Sequence, residues 1–318
     1  MIVGNSFQIR ELKRTIEKIR KSTGNVLITG ESGTGKELVA RELRGTLADG
    51  SPAPFVSVDS ATIQSSMAES LLFGHEKGAF TGADRPKPGL FEEAHGGIIY
   101  FDEIENMPIE IQAKLLRVIQ EKEVMRLGAS KAIPLSFRVV SATNQPLDQW
   151  VTQGKFKADL FQRLNVLPIS LPPLRDRSED IPLLVEHFLK QSGRKLNFSI
   201  KTVETMKTYS WPGNVRELSN LVTYLTAMSD SDFILPTDLP AKIRGQDVQN
   251  DFKAFQQENR SFYDTIRTFE KELLTREFAR HRGVISRMAA SLGMDRSHLY
   301  QKLKEYQVHR PKVLSIAN

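Results

Sequence analysis

Gly30-Glu31-Ser32-Gly33-Thr34-Gly35-Lys36 closes three glycines with a lysine, and Asp102-Glu103 closes the apolar run Ile98-Ile99-Tyr100-Phe101. These residue types at these spacings suit phosphoryl chemistry. The glycines let successive backbone N–H groups converge on phosphate oxygens at a helix N-terminus, and Lys36 is expected to reach the β- and γ-phosphates. A buried strand that ends in two carboxylates delivers them to the sheet edge where doubly wound sheets bind ligands. There Asp102 would hold Mg²⁺ through water and Glu103 would polarise an attacking water. A structural glycine turn and a pair of helix-capping acids are the plainer alternatives, and the two motifs occurring in this order favour a site for ATP. Glu37 stands where the general phosphate-loop motif has Ser or Thr to ligate magnesium, which leaves water or Thr34 for that role.

Between the two motifs lies Gly78-Ala79-Phe80-Thr81-Gly82-Ala83. Gly78 and Gly82 permit backbone angles that other residues avoid, so the segment is expected to turn sharply and carry Phe80 and Thr81 at a loop tip. Folding of Phe80 back into a small core is the alternative. With the preceding Leu72-Phe73-Gly74-His75-Glu76-Lys77, the loop closely resembles the signature of the bacterial enhancer-binding activators of sigma-54 RNA polymerase. The resemblance spans about residues 3 to 242 and implies that this loop touches the sigma factor; Glu37 fits that family's form of the phosphate loop.

Further residues take their roles from this resemblance. Asn144, at the end of Ser141-Ala142-Thr143-Asn144, resembles the sensor of the γ-phosphate, although an ordinary polar turn would read the same way. Phe156 to Val166 resembles the segment that supplies arginines across a subunit boundary, and Arg163 matches the finger. Lys157 stands in place of an arginine usual there and cannot reproduce a bidentate guanidinium. Trp211-Pro212-Gly213-Asn214-Val215-Arg216 resembles the second sensor, with Arg216 reaching the nucleotide and Asn214 capping its helix. Asp59 replaces an asparagine that in the family restrains the catalytic glutamate; an aspartate donates no amide hydrogen bond and would repel an ionised Glu103.

The elements that must position these residues are legible as alternation. Phe7, Leu12, Ile16 and Ile19 recur at helical spacing, and Asn25 to Thr29 forms a short apolar run before Gly30. Strands are expected near Phe55 to Val58, Gly97 to Phe101, Phe137 to Ala142 and Val166 to Ile169, with helices such as Pro108 to Glu121 between them. This predicts an α/β domain, a mostly parallel sheet with helices on both faces, over 1–173. An all-helical lid is expected over 174–242, a polar linker over 243–258 and an all-α domain over 259–318. In the last, Phe262, Ile266, Phe269, Leu273 and Leu274 form a stripe on a long helix.

Ser286 to Lys304 has the grammar of a helix-turn-helix and resembles the Fis-type module that ends these activators. Ala289, Ala290 and Leu292 are expected to face inward, Gly293 to make the turn, Asp295 to cap the second helix, and Leu299 and Leu303 to anchor it. Arg296, Ser297, His298, Gln301 and Lys302 are left to face double-stranded DNA. Arg287, Arg296, Lys302, Lys304, Arg310 and Lys312 against Asp295 and Glu305 concentrate positive charge there. A helical oligomerisation bundle is the alternative.

The 318 residues allow two or three domains with sizeable cores. The absence of cysteine excludes disulfides and thiolate metal sites and agrees with a reducing compartment. No apolar run suits a membrane span and no signal peptide is recognisable, so a soluble cytoplasmic protein is expected. A net charge of +6 permits nucleic-acid binding without establishing it. The family resemblance implies a sigma-54-dependent activator, an AAA+ ATPase using ATP and Mg²⁺. Its dimers would assemble into a hexameric ring that remodels the closed promoter complex. Many members carry a regulatory domain ahead of the ATPase; here the phosphate-loop strand begins at Asn25, so control is expected from a partner or from residues preceding this chain. A regulator or repressor that keeps the ATPase fold only as a scaffold is the rival reading, and an unrelated ring ATPase the third.

Overall fold

Five short apolar runs become five parallel strands. The computed structural model describes residues 2–63, 65–229, 231–244 and 262–308, and it divides into two compact units between Arg177 and Ser178. In the first unit β1 (Val26–Thr29), β2 (Phe55–Asp59) and β3 (Gly97–Asp102) are followed by a short antiparallel pair, β4 (Glu123–Val124) and β5 (Ile133–Pro134), and then by β6 (Phe137–Thr143) and β7 (Leu167–Ser170). The main sheet has the order β2-β3-β6-β1-β7 with every pairing parallel.

Alternation along β3 assigns its two faces. Ile98 and Tyr100 point into one core with Ile9, Ile16, Val39 and Val140, whereas Ile99 and Phe101 point into another with Leu72, Phe91, Leu115 and Leu160. Helices α1 (Phe7–Arg20) and α2 (Lys36–Glu42) cover the first face. Helices α3 (Ser65–Phe73), α4 (Leu90–Glu93), α5 (Ile109–Glu121), α6 (Leu147–Thr152) and α7 (Ala158–Leu164) contribute to the second. One detail differs from the sequence pattern: Phe7 is exposed, and Ile9 takes its place on the buried stripe of α1. Ser6 caps that helix by accepting from the Ile9 N–H, so residue 7 is held at the first turn, off the packed stripe.

The second unit contains α8 (Ile181–Ser192), α9 (Ile200–Thr208) and α10 (Asn214–Met228). It is not wholly helical, because Asn197–Phe198 pairs in parallel with Phe233–Ile234. Asn214 does not cap α10. Gly213 occupies the cap, its N–H donates to Glu217 Oε2 at 3.0 Å, and Asn214 is buried with a left-handed φ of 50°. The same unit holds three C-terminal helices, Phe262–Arg280, Ile285–Leu292 and Arg296–Glu305, around Leu274, Met288, Ala289, Leu299, Leu303 and Tyr306. Ala290 is exposed, contrary to expectation, and Met288 fills the inward position. Of the stripe on the long helix, Leu274 is buried and Phe269 exposed; the side chains of Phe262 and Ile266 lie outside the described residues. So does the expected linker from residue 245 onward, while Ala241–Arg244 is helical. No described helix is long and apolar enough to cross a membrane.

Candidate functional site

The strand order sets three chemical groups along one edge of the sheet. β6 lies between β1 and β3, with Thr143 in register with Thr29 and Ser141 with Phe101. The phosphate loop after β1, Asn144 after β6 and Asp102-Glu103 at the end of β3 therefore emerge side by side at the carboxyl ends of adjacent strands, the edge at which open α/β sheets bind ligands.

Gly35 caps α2 with φ 103° and ψ 30°, a left-handed geometry that suits glycine. Lys36 is buried and its Nζ donates to the Gly30 and Glu31 carbonyls at 2.8 and 3.2 Å, so the ammonium lies against the loop it is expected to complete. Thr34 Oγ1 donates to the Glu31 carbonyl at 2.7 Å. Ser32 is exposed and Gly33 turns the loop between them. Two arginines that the sequence reading passed over brace this loop from far along the chain. Arg175 grips the Glu31 carboxylate through both terminal nitrogens at 2.9 and 2.6 Å, and the buried Arg177 donates to the Thr34 carbonyl at 3.1 Å. Glu37 pairs with Arg41 at 2.6 Å, one turn along α2.

At the end of β3, Asp102 Oδ1 accepts from the Glu103 N–H at 3.0 Å. Glu103 sits at a left-handed turn, φ 48° and ψ 49°, and its Oε2 accepts from Asn106 Nδ2 at 3.0 Å. Asp59 lies opposite Asp102 in the β2–β3 register and its Oδ1 accepts from the Ala61 N–H. The amide that reaches Glu103 thus comes from residue 106. Buried Glu105 accepts weakly from the Asn144 N–H at 3.4 Å, which couples the acidic turn to the candidate sensor.

No cluster of three His, Cys, Asp or Glu among the described residues could hold a metal alone. Mg²⁺ ordinarily takes one or two carboxylates together with substrate phosphates and water. Asp102, a hard oxygen donor beside the phosphate loop, fits that donor set.

Arg163 is exposed near the end of α7, and its guanidinium makes no hydrogen bond or ion pair among the described residues. Its backbone carbonyl accepts from Asn25 Nδ2 at 2.9 Å, anchoring the segment beside β1. The start of α7 is fixed by Gln112, fully buried, which accepts from the Lys157 N–H and donates to the Met107 carbonyl. Arg216 is exposed on the first turn of α10 in the second unit.

The segment 78–83 is a hydrogen-bonded loop. Gly78 N–H donates to the Ala83 carbonyl and Ala83 N–H to the Phe80 carbonyl, with φ of 81° at Gly78 and 96° at Gly82. Ala79 packs against Gly128, Thr81 is exposed, and Phe80 is 46% exposed, its ring tilted against the His75 ring with centroids 5.0 Å apart. The base is tied down by Arg126, which binds Glu92 at 2.9 and 2.7 Å and Glu76 at 3.0 Å. That guanidinium holds the Glu92 carboxyl below its ordinary range.

In the C-terminal helices Asp295 caps the second element through the Ser297 and His298 N–H groups, and Gly293 turns with φ 62°. Arg296, Ser297, His298 and Gln301 are exposed, as is Tyr300, which the sequence reading left aside. Lys302 departs from expectation. Its Nζ lies 2.8 Å from both oxygens of Glu270, and Tyr306 donates to the same carboxylate, which holds the lysine against the long helix. The pairing raises the Lys302 pKa and lowers that of Glu270. Arg310 and Lys312 lie outside the described residues.

A phosphate loop, an acidic strand end and a polar sensor position on a parallel sheet, with a helical lid and a helix-turn-helix, define the class of AAA+ transcription regulators. Models of three families match in succession: the Sigma-54 interaction domain over residues 2–170, the AAA+ ATPase lid domain over 175–254 and the Bacterial regulatory protein, Fis family, over 265–306. The chain belongs to the family of sigma-54-dependent transcriptional regulators. It is 41% identical to Regulatory protein AtoC of Escherichia coli (strain K12), over 96% of this chain and 68% of that protein. It is also 41% identical to the Putative uric acid sigma-54-dependent transcriptional regulator UacR of the same strain, but spans only 54% of that relative's length. The crystal structure of NtrX from Brucella abortus in complex with ATP superposes with a TM-score of 0.66 at 37% identity, covering 96% of this chain and 69% of NtrX.

Proposed function

We propose that this chain hydrolyses ATP in a homo-oligomeric ring and uses the cycle to drive the loop 78–83 against sigma-54 RNA polymerase, opening promoters while bound to upstream DNA. The observation that carries this reading is the placement of the phosphate loop, Asn144 and Asp102-Glu103 on one sheet edge, with a half-exposed aromatic loop elsewhere in the same unit. Gly30 to Glu37 and Arg216 would bind the nucleotide, and Lys36 would leave the loop carbonyls for phosphate. Glu103 would orient and polarise water, Asn144 would contact the γ-phosphate, and Arg163 would act across a subunit boundary. Magnesium, when bound, neutralises charge developing on the phosphoryl oxygens. Residues 1–173 and 174–242 form the ATPase and its lid in this reading, 243–258 the linker, and 259–318 the DNA-binding domain. That an NtrX crystal structure contains ATP supports the nucleotide assignment.

The test compares Lys36→Ala with Glu103→Gln in nucleotide binding, ATP turnover and capture of sigma-54 in the presence of a transition-state nucleotide analogue. Lys36→Ala should lose nucleotide affinity; Glu103→Gln should bind ATP and fail to turn it over. Normal hydrolysis by Glu103→Gln would remove the catalytic role from Glu103, whereas a native chain that neither turns over ATP nor captures sigma-54 would favour the scaffold reading.

A further inference from the structure

Tyr100 brings a hydroxyl into the sheet at a point where a hydrocarbon ring would satisfy the packing. The residue is fully buried, its ring stacks on Phe55 with centroids 5.9 Å apart, and its hydroxyl closes no hydrogen bond of full geometry among the described residues, with the Asp102 carboxylate within interacting reach. A buried donor without an acceptor is costly. The hydroxyl is therefore either a defect or one half of an interaction completed when a neighbouring carboxylate is drawn into place.

Its surroundings favour the second. Tyr100 and Asp102 are two residues apart on β3, so both side chains leave the same face of the sheet, the face covered by α2. A phenol carries one O–H to donate, and a carboxylate only accepts. The other oxygen groups near the phosphate loop are already engaged: Thr34 Oγ1 with the Glu31 carbonyl and the Glu37 carboxylate with Arg41. Asp102 Oδ1 takes the Glu103 N–H.

We propose that the Tyr100 hydroxyl is a positioning donor for the Asp102 carboxylate, fixing its orientation when Asp102 faces a magnesium ion carried in with ATP. The inference rests on the ATP-binding reading above. Donors that orient a metal-facing carboxylate typically alter metal affinity by about ten- to a hundredfold when removed. Nucleotide binding itself, which depends on the loop and Lys36, should be untouched.

The experiment uses the full chain and Mn²⁺ as the probe. Free Mn²⁺ is measured by electron paramagnetic resonance during titration of the ATP-loaded protein, for the native chain and for Tyr100→Phe, Asp102→Asn and Lys36→Ala. ATP affinity in the presence of a chelator is measured in parallel. Tyr100→Phe should weaken Mn²⁺ binding about tenfold or more, leave the metal-free ATP affinity unchanged, and melt no lower than the native chain, since only a hydroxyl without a complete hydrogen bond is removed. Mn²⁺ affinity within twofold of the native value in Tyr100→Phe, alongside a large loss in Asp102→Asn, would overturn the proposal and leave the ATP reading standing. If the native chain binds neither ATP nor Mn²⁺ with it, both fall. Should Tyr100→Phe fail to fold, the native chain labelled with 3-fluorotyrosine supplies the second measurement. One resonance must shift when metal joins the ATP complex, and the absence of any shift overturns the proposal.

Discussion

Asn106 closes the turn after β3 twice over: its N–H donates to the Glu103 carbonyl at 2.9 Å and its side-chain amide to the Glu103 carboxylate at 3.0 Å. The residue expected to matter near that carboxylate, position 59, is an aspartate occupied with its own turn. An amide donor fixes a carboxylate's direction without titrating, and a group meant to align water loses rate steeply when misdirected. Asn106→Ala is therefore expected to lower the turnover number about tenfold with little change in KM for ATP. Asn106→Asp should fall further, because it sets a second negative charge against Glu103. Steady-state kinetics over a range of ATP concentrations check this, and an unaltered turnover number in Asn106→Ala would show that Asn106 does not align Glu103.

The exposed Arg163 guanidinium has no partner among the described residues, as a group reserved for another subunit requires. Arg163→Ala should bind ATP as a monomer with near-native affinity and lose most hydrolysis in the assembled state, by about a thousandfold if it acts as a trans finger. Mixing it with Glu103→Gln should restore part of the activity, since an interface can then join an intact arginine to an intact glutamate. Two inactive variants that stay inactive at every mixing ratio would place the finger elsewhere.

Arg126 links Glu92, at the start of α4, to Glu76 below the loop 78–83, so the stability of the loop's base depends on ionised carboxylates. The hydrogen bond from Arg126 lowers the Glu92 pKa from 4.5. Its contribution is thus fully present above 4.5 and is lost as the pH falls through the lower folded-state value. Glu92→Gln should cost about 2 kcal/mol near neutrality. The gap in melting temperature from the native chain should stay constant down to about pH 5 and close below it. A gap that widens on acidification would contradict the assignment.

Much of this architecture was legible because the signals are local. Short apolar runs ending in Gly30, Asp102 and Asn144 announce buried strands and put the chemistry at their ends, and Gly293 followed by Asp295 announces a turn and a cap. The supporting contacts were not legible. Arg126 meets Glu92 and Glu76 from 34 and 50 residues away, Arg175 meets Glu31 from 144, and Lys302 meets Glu270 from 32. Each is a charge that reads in sequence as a solvated surface residue, and only the packing of the elements between decides which carboxylate it finds. Asn106 failed to stand out for a different reason, since its partner is only three residues away but faces it only because Glu103 adopts a left-handed turn.

The Lys302–Glu270 pair changes how DNA binding should be dissected. Arg296 is exposed on the first turn of its helix, whereas Lys302 is held by Glu270 on the long helix, to which Tyr306 also donates. Arg296→Ala should weaken DNA binding and reduce the slope of log affinity against log salt by about one, the signature of a lost phosphate contact. Lys302→Ala should instead lower the melting temperature of the helix-turn-helix and leave the salt slope nearly unchanged, because it releases a carboxylate from its partner rather than a counterion from DNA. Neither change should affect ATP hydrolysis. Phe80→Ala and Thr81→Ala form the opposite arm: both should hydrolyse ATP and bind DNA with the native salt slope, yet fail to open a sigma-54 promoter. Salt-dependent binding titrations, thermal melts and a promoter-opening assay on the same four proteins separate these outcomes. A native salt slope for Arg296→Ala together with a reduced one for Lys302→Ala would reverse the assignment of the two cations.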